Sequence, residues 1–500
     1  MHERRMGQAR VSRPTGSATA SAFTDARRIL AGFRPPADLR PAIDFAGPAG
    51  ASAPAPGIPV EACTPCGGEI AAALAALRRG ETTSRRLVEE ALAAVADHDP
   101  QLRAFAELTA SAARADADRC DRERAAGHRG GPLHGIPLTI KDILDVAGVA
   151  TRCGSEAYHE VPDRDAVAVA RVRAAGAVLL GKTATHEFAM GLTTPQSRNP
   201  YDLGRLPGGS SGGSAIAVAT GMGFASLGTD TRGSVRVPAA LCGVVGFKPT
   251  YGYLPTSGVV PLSWTMDHAG VLARTVADAA LVADVCRTAG APVAAAAGAP
   301  VVGLRLGVPQ AAFDGADPEV SALTRAAVER LAALGLAVVT ARRPSSGDLD
   351  LASAAGLFVS RSEAAAFHRW LDTDRARYWD EVSDQLNAAS GLSAIDYLDA
   401  QRCRAALGHD LLAVFDDIDV LATPTTLVPA PPAGDFVRYL TLLARNVIPW
   451  SLLGFPALSL PVGLTPDGLP AGLQLVAPPH RDHLVIATAA ALEHAPPPGT

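Results

Sequence analysis

The sequence predicts an α/β fold, a large mixed β-sheet covered by helices on both faces. Three observations carry it. Short apolar-rich runs such as Ile136–Ile140, Val302–Val308 and Ala457–Val462 read as buried strands. They alternate with stretches of helical periodicity, Pro318–Leu334 being the longest, which places helices on both sides of a sheet. The chain has 500 residues with 48% apolar and 19% charged side chains, enough for a sizeable core.

Residues 1–67 are loaded with Pro, Ala, Gly and Ser and show no sustained periodicity, so a poorly ordered extension is expected there and one folded domain over 68–500. Arg4, Arg5, Arg10 and Arg13 give the start a transit-peptide-like composition; the reading adopted is a disordered extension or a start placed too far upstream. From Ser84 the positions Leu87, Val88, Ala91, Leu92 and Val95 have helical spacing, with Thr83 or Ser84 as cap and Pro100 beyond the end. Ile136–Ile140 is then a strand ending at Lys141 and Asp142, Asp165–Ala175 a helix, and Ala177–Leu180 a strand. Ala215–Thr220 reads as a small-residue helix, Val244–Phe247 as a strand and Ala289–Pro300 as a surface excursion. Beyond 300 come the strand Val302–Val308, the helix Pro318–Leu334, the strand Ala337–Thr340 and a mostly helical stretch over 352–415. Strands at Val420–Thr423, Ala457–Val462 and Leu473–Val476 close the series.

A net charge of −5 leaves no electrostatic footprint for nucleic acid or anionic lipid, and no apolar run is long enough to span a bilayer. The expectation is a cytoplasmic protein with a small-molecule partner, no nucleic acid and no membrane, and a homodimer left open. Seven cysteines, odd in number and mostly far apart, argue against a disulfide framework, and the Cys63-x-x-Cys66 pair is weak evidence for metal. No metal site is legible, and no cofactor is expected.

The informative stretch is Pro207-Gly-Gly-Ser-Ser-Gly-Gly-Ser214, followed by Leu227-Gly-Thr-Asp-Thr-Arg-Gly-Ser-Val-Arg-Val-Pro238. A flexible linker fits poorly, because the run leads straight into an apolar helix between core elements. A phosphate loop lacks its Gly-Lys-Ser/Thr ending. Gly209-Ser-Ser211-Gly-Gly213 formally matches a nucleophile elbow, but no strand precedes it and neither His268 nor His368 has a distinctive setting.

These two runs, with Cys242-Gly-Val-Val-Gly-Phe-Lys-Pro-Thr250, resemble the signature region of the amidase-signature family. The likeness extends to Leu133-His-Gly-Ile-Pro-Leu-Thr-Ile-Lys-Asp142, Gly181-Lys-Thr-Ala-Thr-His-Glu187, Met266-Asp-His-Ala-Gly270 and Gly454-Phe-Pro-Ala-Leu-Ser-Leu-Pro461, and covers roughly residues 68–493. It implies an amidohydrolase with Ser234 as nucleophile, Ser210 as relay serine after a cis Gly209–Ser210 peptide, and Lys141 as base. It further implies an oxyanion hole from the main-chain N–H groups of Thr231, Arg232, Gly233 and Ser234, supported by Ser211, Asp230 and Arg236.

The chemistry demands such a set. A serine hydroxyl attacks only as it loses its proton, and a lysine takes that proton only when burial has made it neutral. Asp142 would oppose that shift unless it points away, as neighbouring side chains on a strand do. Arg232 departs from the glycine common in the family and brings a side chain, or a positive charge, towards the pocket. For Arg236 the expectation is a structural brace rather than a contact to a substrate carboxylate. Hydrolysis of a small-molecule carboxamide through an acyl-enzyme is the first reading. Glu363–His368 and Asp396–Arg402 loosely resemble members acting on ureido compounds such as carboxybiuret. The alternative is the glutaminase component of a tRNA-dependent amidotransferase; a silent binding scaffold and an α/β-hydrolase esterase come behind.

Overall fold

A computed structural model describes residues 16–34, 68–128, 130–371 and 374–495. Eleven strands form one sheet: β1 Phe105–Leu108, β2 Pro137–Lys141, β3 Val178–Thr183, β4 Ala225–Asp230, β5 Val245–Lys248, β6 His268–Ala273, β7 Arg305–Pro309, β8 Ala337–Ala341, β9 Val420–Pro424, β10 Ala457–Leu464 and β11 Pro470–Val476. Their order is β1-β3-β2-β4-β6-β5-β10-β11-β9-β7-β8. β3, β2 and β4 run parallel, as do β9, β7 and β8, while the middle of the sheet is antiparallel. This is the large mixed sheet the sequence predicts.

Alternation along the central strands makes both faces apolar. On β6, Leu272 turns towards helices Gly212–Ala219 and Arg236–Cys242, while Val271 and Ala273 join the cluster on the other side with Val276, Ala279 and Ala280. Helices Val276–Cys286, Pro318–Ala333 and Asp482–His494 complete that second layer.

Several elements depart from expectation. β1, β4 and β6 were not legible as strands; the buried β4, for one, reads Ala-Ser-Leu-Gly-Thr-Asp, too polar for an apolar-run criterion. Tertiary pairing overrides that composition. Ala289–Pro300 contains a short 3₁₀ turn, Ala294–Gly298, whose Ala296 and Ala297 are buried, so it is not a surface excursion throughout. Inside the stretch expected to lack order, Gly16–Gly32 forms a helix. Its Phe23, Ala26 and Leu30, with Phe33 just beyond its end, recur at helical spacing and join the apolar cluster of Ala355, Phe358, Val359 and Leu407. Phe23 and Phe358 stack at 6.0 Å. Cys63 and Cys66 lie outside the described residues.

Ala26→Asp places a carboxylate in that apolar contact and is expected to release the helix. Limited trypsinolysis at Arg27 and Arg28 should then speed up by at least roughly tenfold; an unchanged cleavage rate contradicts the docking.

Candidate active site

The parallel register of β2 and β4 pairs Ile140 with Leu227 and brings their carboxyl ends side by side, the crevice position where open α/β sheets hold ligands. Lys141 is the last residue of β2 and is fully buried. Its Nζ donates to Ser210 Oγ at 2.8 Å and to Thr229 Oγ1 at 2.7 Å. Burial drives the Lys141 pKa down to about 7, against a smaller upward pull from Asp230 and Asp267.

Ser210 sits in the loop before helix Gly212–Ala219, and the Gly209–Ser210 peptide bond is cis. Gly209 has to be glycine: a Cβ there would lie 2.1 Å from the Thr193 carbonyl oxygen. Ser211 fixes the loop from both ends. Its N–H donates to the Ser234 carbonyl (3.2 Å) and its hydroxyl to the Thr229 carbonyl (3.2 Å). With no strand before it and no histidine at its hydroxyl, Ser211 is not a nucleophile elbow. His268 Nδ1 contacts the Met266 and Asp230 carbonyls, and His368 contacts Tyr378.

Ser234 lies in the turn between β4 and helix Arg236–Cys242 and lines a cavity of about 320 Å³. The structure ties it to the Ser210 loop through backbone; among the described residues no hydrogen bond joins the Ser210 and Ser234 hydroxyls. Such bonds commonly tighten only with substrate in place. Of the expected oxyanion donors, the N–H groups of Thr231, Arg232 and Ser234 have no partner among the described residues. Gly233 differs: its N–H donates to Asp230 Oδ1 at 2.8 Å, so it belongs to the brace of the turn.

Asp230 and Arg236 form that brace. The guanidinium makes two bonds to the carboxylate at 2.9 Å and also reaches Gln474 and Ser451 at 2.6 Å each, all in fully buried surroundings. Burial alone would raise the Asp230 carboxyl, but the Arg236 guanidinium outweighs it and holds the acid well below the usual carboxylate range. All three Arg236 nitrogens are thus bonded to protein groups.

Sequence reasoning missed Thr229, the second hydroxyl on Lys141, although it lies inside the quoted Gly-Thr-Asp run. It also missed Asp267, which accepts from Thr231 Oγ1 (2.5 Å) and from the N–H groups of Leu262 and Ser263, and whose pKa burial pushes up to about 7. The cavity wall was missed too: Arg361, Glu381 and Gln385 from the helical stretch, and Ala18, Thr19, Ala22 and Phe23 from the N-terminal helix. Arg232 does reach the cavity, as expected. The segments likened to ureido-acting members, Glu363–His368 and Asp396–Arg402, line none of it; Glu363 instead accepts hydrogen bonds from Ser263, Thr265 and Tyr397.

Among the described residues one group of metal-type ligands converges elsewhere: Cys120, Glu123 and His134. Each is already engaged, with Gly176, Arg119 and the Cys120 carbonyl respectively, and burial pushes the Cys120 thiol up, away from the thiolate a metal needs.

A protein-family model described as Amidase matches residues 86–486. A glutamyl-tRNA(Gln) amidotransferase component of Prochlorococcus marinus (strain MIT 9313) is 38% identical over 448 residues, covering 80% of this chain and 92% of that protein. Among solved structures, a vestigial protein complex described as revealing the evolutionary origins of an s-triazine catabolic enzyme superposes with a TM-score of 0.79 at 34% identity, over 85% of this chain and 98% of the other. The corresponding glutamyl-tRNA(Gln) amidotransferase component from Thermotoga maritima gives 0.69 at 30% identity, over 83% and 92%. These two amidotransferase components overturn the expectation that nucleic acid has no part among the partners, since their own name ties them to glutamyl-tRNA(Gln). Net charge misled because it describes one chain and not the complex a chain enters. Among the described residues no helix is long and apolar enough to cross a membrane.

Arg236→Met strands the Asp230 carboxylate in a dry site and is expected to lower the free energy of unfolding by about 3–5 kcal/mol. Urea unfolding checks it; an unshifted midpoint contradicts the brace.

Proposed function

From the premise that this chain belongs to the amidase family and is an amidohydrolase acting on amide bonds, we propose that Ser234 attacks the amide carbon while Ser210 passes its proton to the neutral amine of Lys141. The observation that carries this reading is the buried Lys141 nitrogen, whose hydrogen-bond partners are two hydroxyls and whose pKa lies about 7. At neutral pH a large fraction of such amines has a free lone pair to accept the Ser210 proton. The Ser234 oxygen forms the bond to carbon, and the former carbonyl oxygen becomes an oxyanion facing the N–H groups of Thr231, Arg232 and Ser234. As the C–N bond breaks, Ser210 returns the proton to the leaving nitrogen. Water then cleaves the acyl-enzyme by the same relay. Loss of one oxyanion donor costs about 2.7–4 kcal/mol in comparable sites.

For the substrate, the ammonia-supplying reading comes first. The chain acts on glutamine as the glutaminase part of a tRNA-dependent amidotransferase and hands ammonia to a partner protein. Similarity to amidotransferase components over four fifths of the chain supports it. A second reading is hydrolysis of a free small-molecule carboxamide. The higher structural likeness to the complex linked with s-triazine catabolism favours it, as does a cavity closed on one side by the chain's own helix Gly16–Gly32. Ammonia release from glutamine by the purified chain, by itself and with candidate partner proteins, separates the two. Robust turnover of small carboxamides with no glutaminase activity in any mixture leaves the second reading standing.

A fluorophosphonate is expected to label Ser234, and Ser234→Ala to abolish labelling; a label on Ser211 contradicts the assignment. The group that must be neutral is an amine, so kcat/KM is expected to rise with pH through about 7 and level off above it. Asp267 titrates in the same range, so the decisive profile is that of Asp267→Asn, which should keep the inflection. Its disappearance there would assign the step to Asp267 instead.

A further inference from the structure

The Ser234 cavity carries more positive charge than the protein neutralises. Arg232 and Arg361 both line it. Arg232 makes no hydrogen bond or ion pair among the described residues, and its Nε is buried without a partner. Arg361 is buried; its Nε donates to Gln385 Oε1 (2.6 Å) and its Nη2 to the Met190 carbonyl (2.8 Å), which hold the side chain in one orientation. Its Nη1 is buried and unpartnered. The carboxylate facing them is Glu381, and it accepts from Gln385 Nε2 (3.3 Å) and lies 3.6 Å from His186 Nε2 rather than bonding either guanidinium.

Buried donors without acceptors are costly, and buried cations more so. Burial lowers both arginines, Arg361 to about 9 with a further push from Arg232, and Arg232 to about 10, so both still carry charge at neutral pH. Arg236 shows the contrast, since the cation of the brace next door has its carboxylate. A guanidinium is built to take a carboxylate through parallel N–H bonds.

We propose that Arg232 and Arg361 form a carboxylate-binding subsite in the Ser234 cavity, so that the amide substrate carries an acidic group on the same small molecule. The proposal rests on Ser234 marking the reacting end of that cavity. It narrows the substrate class to amides of carboxylate-bearing compounds, a class that includes glutamine and acidic ureido or half-amide compounds, and excludes neutral fatty or aryl amides. It also gives the departure at Arg232 a purpose: one residue supplies a main-chain N–H towards the oxyanion and a side-chain cation towards the far end of the substrate.

The test is calorimetric titration of full-length Ser234→Ala protein with the half-amides succinamate and glutaramate and with the neutral diamides succinamide and glutaramide. At least one half-amide is expected to bind roughly 10- to 150-fold more tightly than its diamide. Arg361→Gln should collapse that gap, and Arg361→Lys should keep part of it. Diamides that bind as tightly as the acids, or no measurable binding by either acid, overturns the subsite. Initial rates on the wild-type protein give the same comparison without any variant, and the preference should appear mainly in KM. The nucleophile assignment fails separately: turnover surviving in Ser234→Ala would sink it while leaving the binding preference intact.

Discussion

One amine held out of water is the constraint on which the site depends. Lys141 ends a strand buried along its whole length, and a cation there survives only beside a counter-charge. The structure denies it one at contact distance. Asp142, its neighbour in sequence, is bound to Lys182 at 3.0 Å, and Asp230, across the strand pair, is bound twice by Arg236. With both of these carboxylates committed to their own cations, Lys141 is left facing the hydroxyls of Ser210 and Thr229. With those two carboxylates held in their own ion pairs, burial dominates and the Lys141 pKa falls to about 7.

The same division of labour shapes the turn that follows β4. Asp230 takes the N–H groups of Gly233 and Val235 together with Arg236, which fixes the backbone. Among the described residues the N–H groups of Thr231, Arg232 and Ser234 have no partner, and Arg232 and Ser234 line the cavity. A bonded brace on one side and donors without partners on the other is the arrangement the proposed oxyanion hole calls for. Past this centre the cavity wall changes character, with two incompletely bonded guanidiniums contributed by elements remote in sequence.

Much of this was legible in the sequence. Strands β2, β3, β5 and β7–β11 announced themselves through apolar runs, and the mixed sheet followed from their alternation with helices. Lys141, Ser210, Ser234, Asp230 and Arg236 were read from ordered motifs, and the structure brings all five into one neighbourhood. What stayed hidden has a physical reason in each case. β4 is made of small and polar residues that are buried only by pairing. The helix Gly16–Gly32 lies in a stretch whose composition masked the spacing of Phe23, Ala26, Leu30 and Phe33. Gly233 looked like an oxyanion donor because sequence does not say where an N–H points. Arg361, Glu381 and Gln385 were indistinguishable from helix-surface residues until the helices closed over Ser234. The complex a chain joins is equally invisible to its own charge balance, and here similarity to amidotransferase components, not residue chemistry, brought glutamyl-tRNA(Gln) into view.

The chain contains only three lysines, Lys141, Lys182 and Lys248, so the state of the amine can be observed directly. Lysine-selective isotope labelling with an NMR pH titration of the side-chain Cε and Nζ resonances is the most direct measurement. Burial also lowers Lys248 well below the ordinary lysine range, so the account predicts a signal titrating about pH 7 that is the one lost in Lys141→Met. A Lys141 resonance that stays protonated up to the ordinary lysine range, about pH 10, would contradict it.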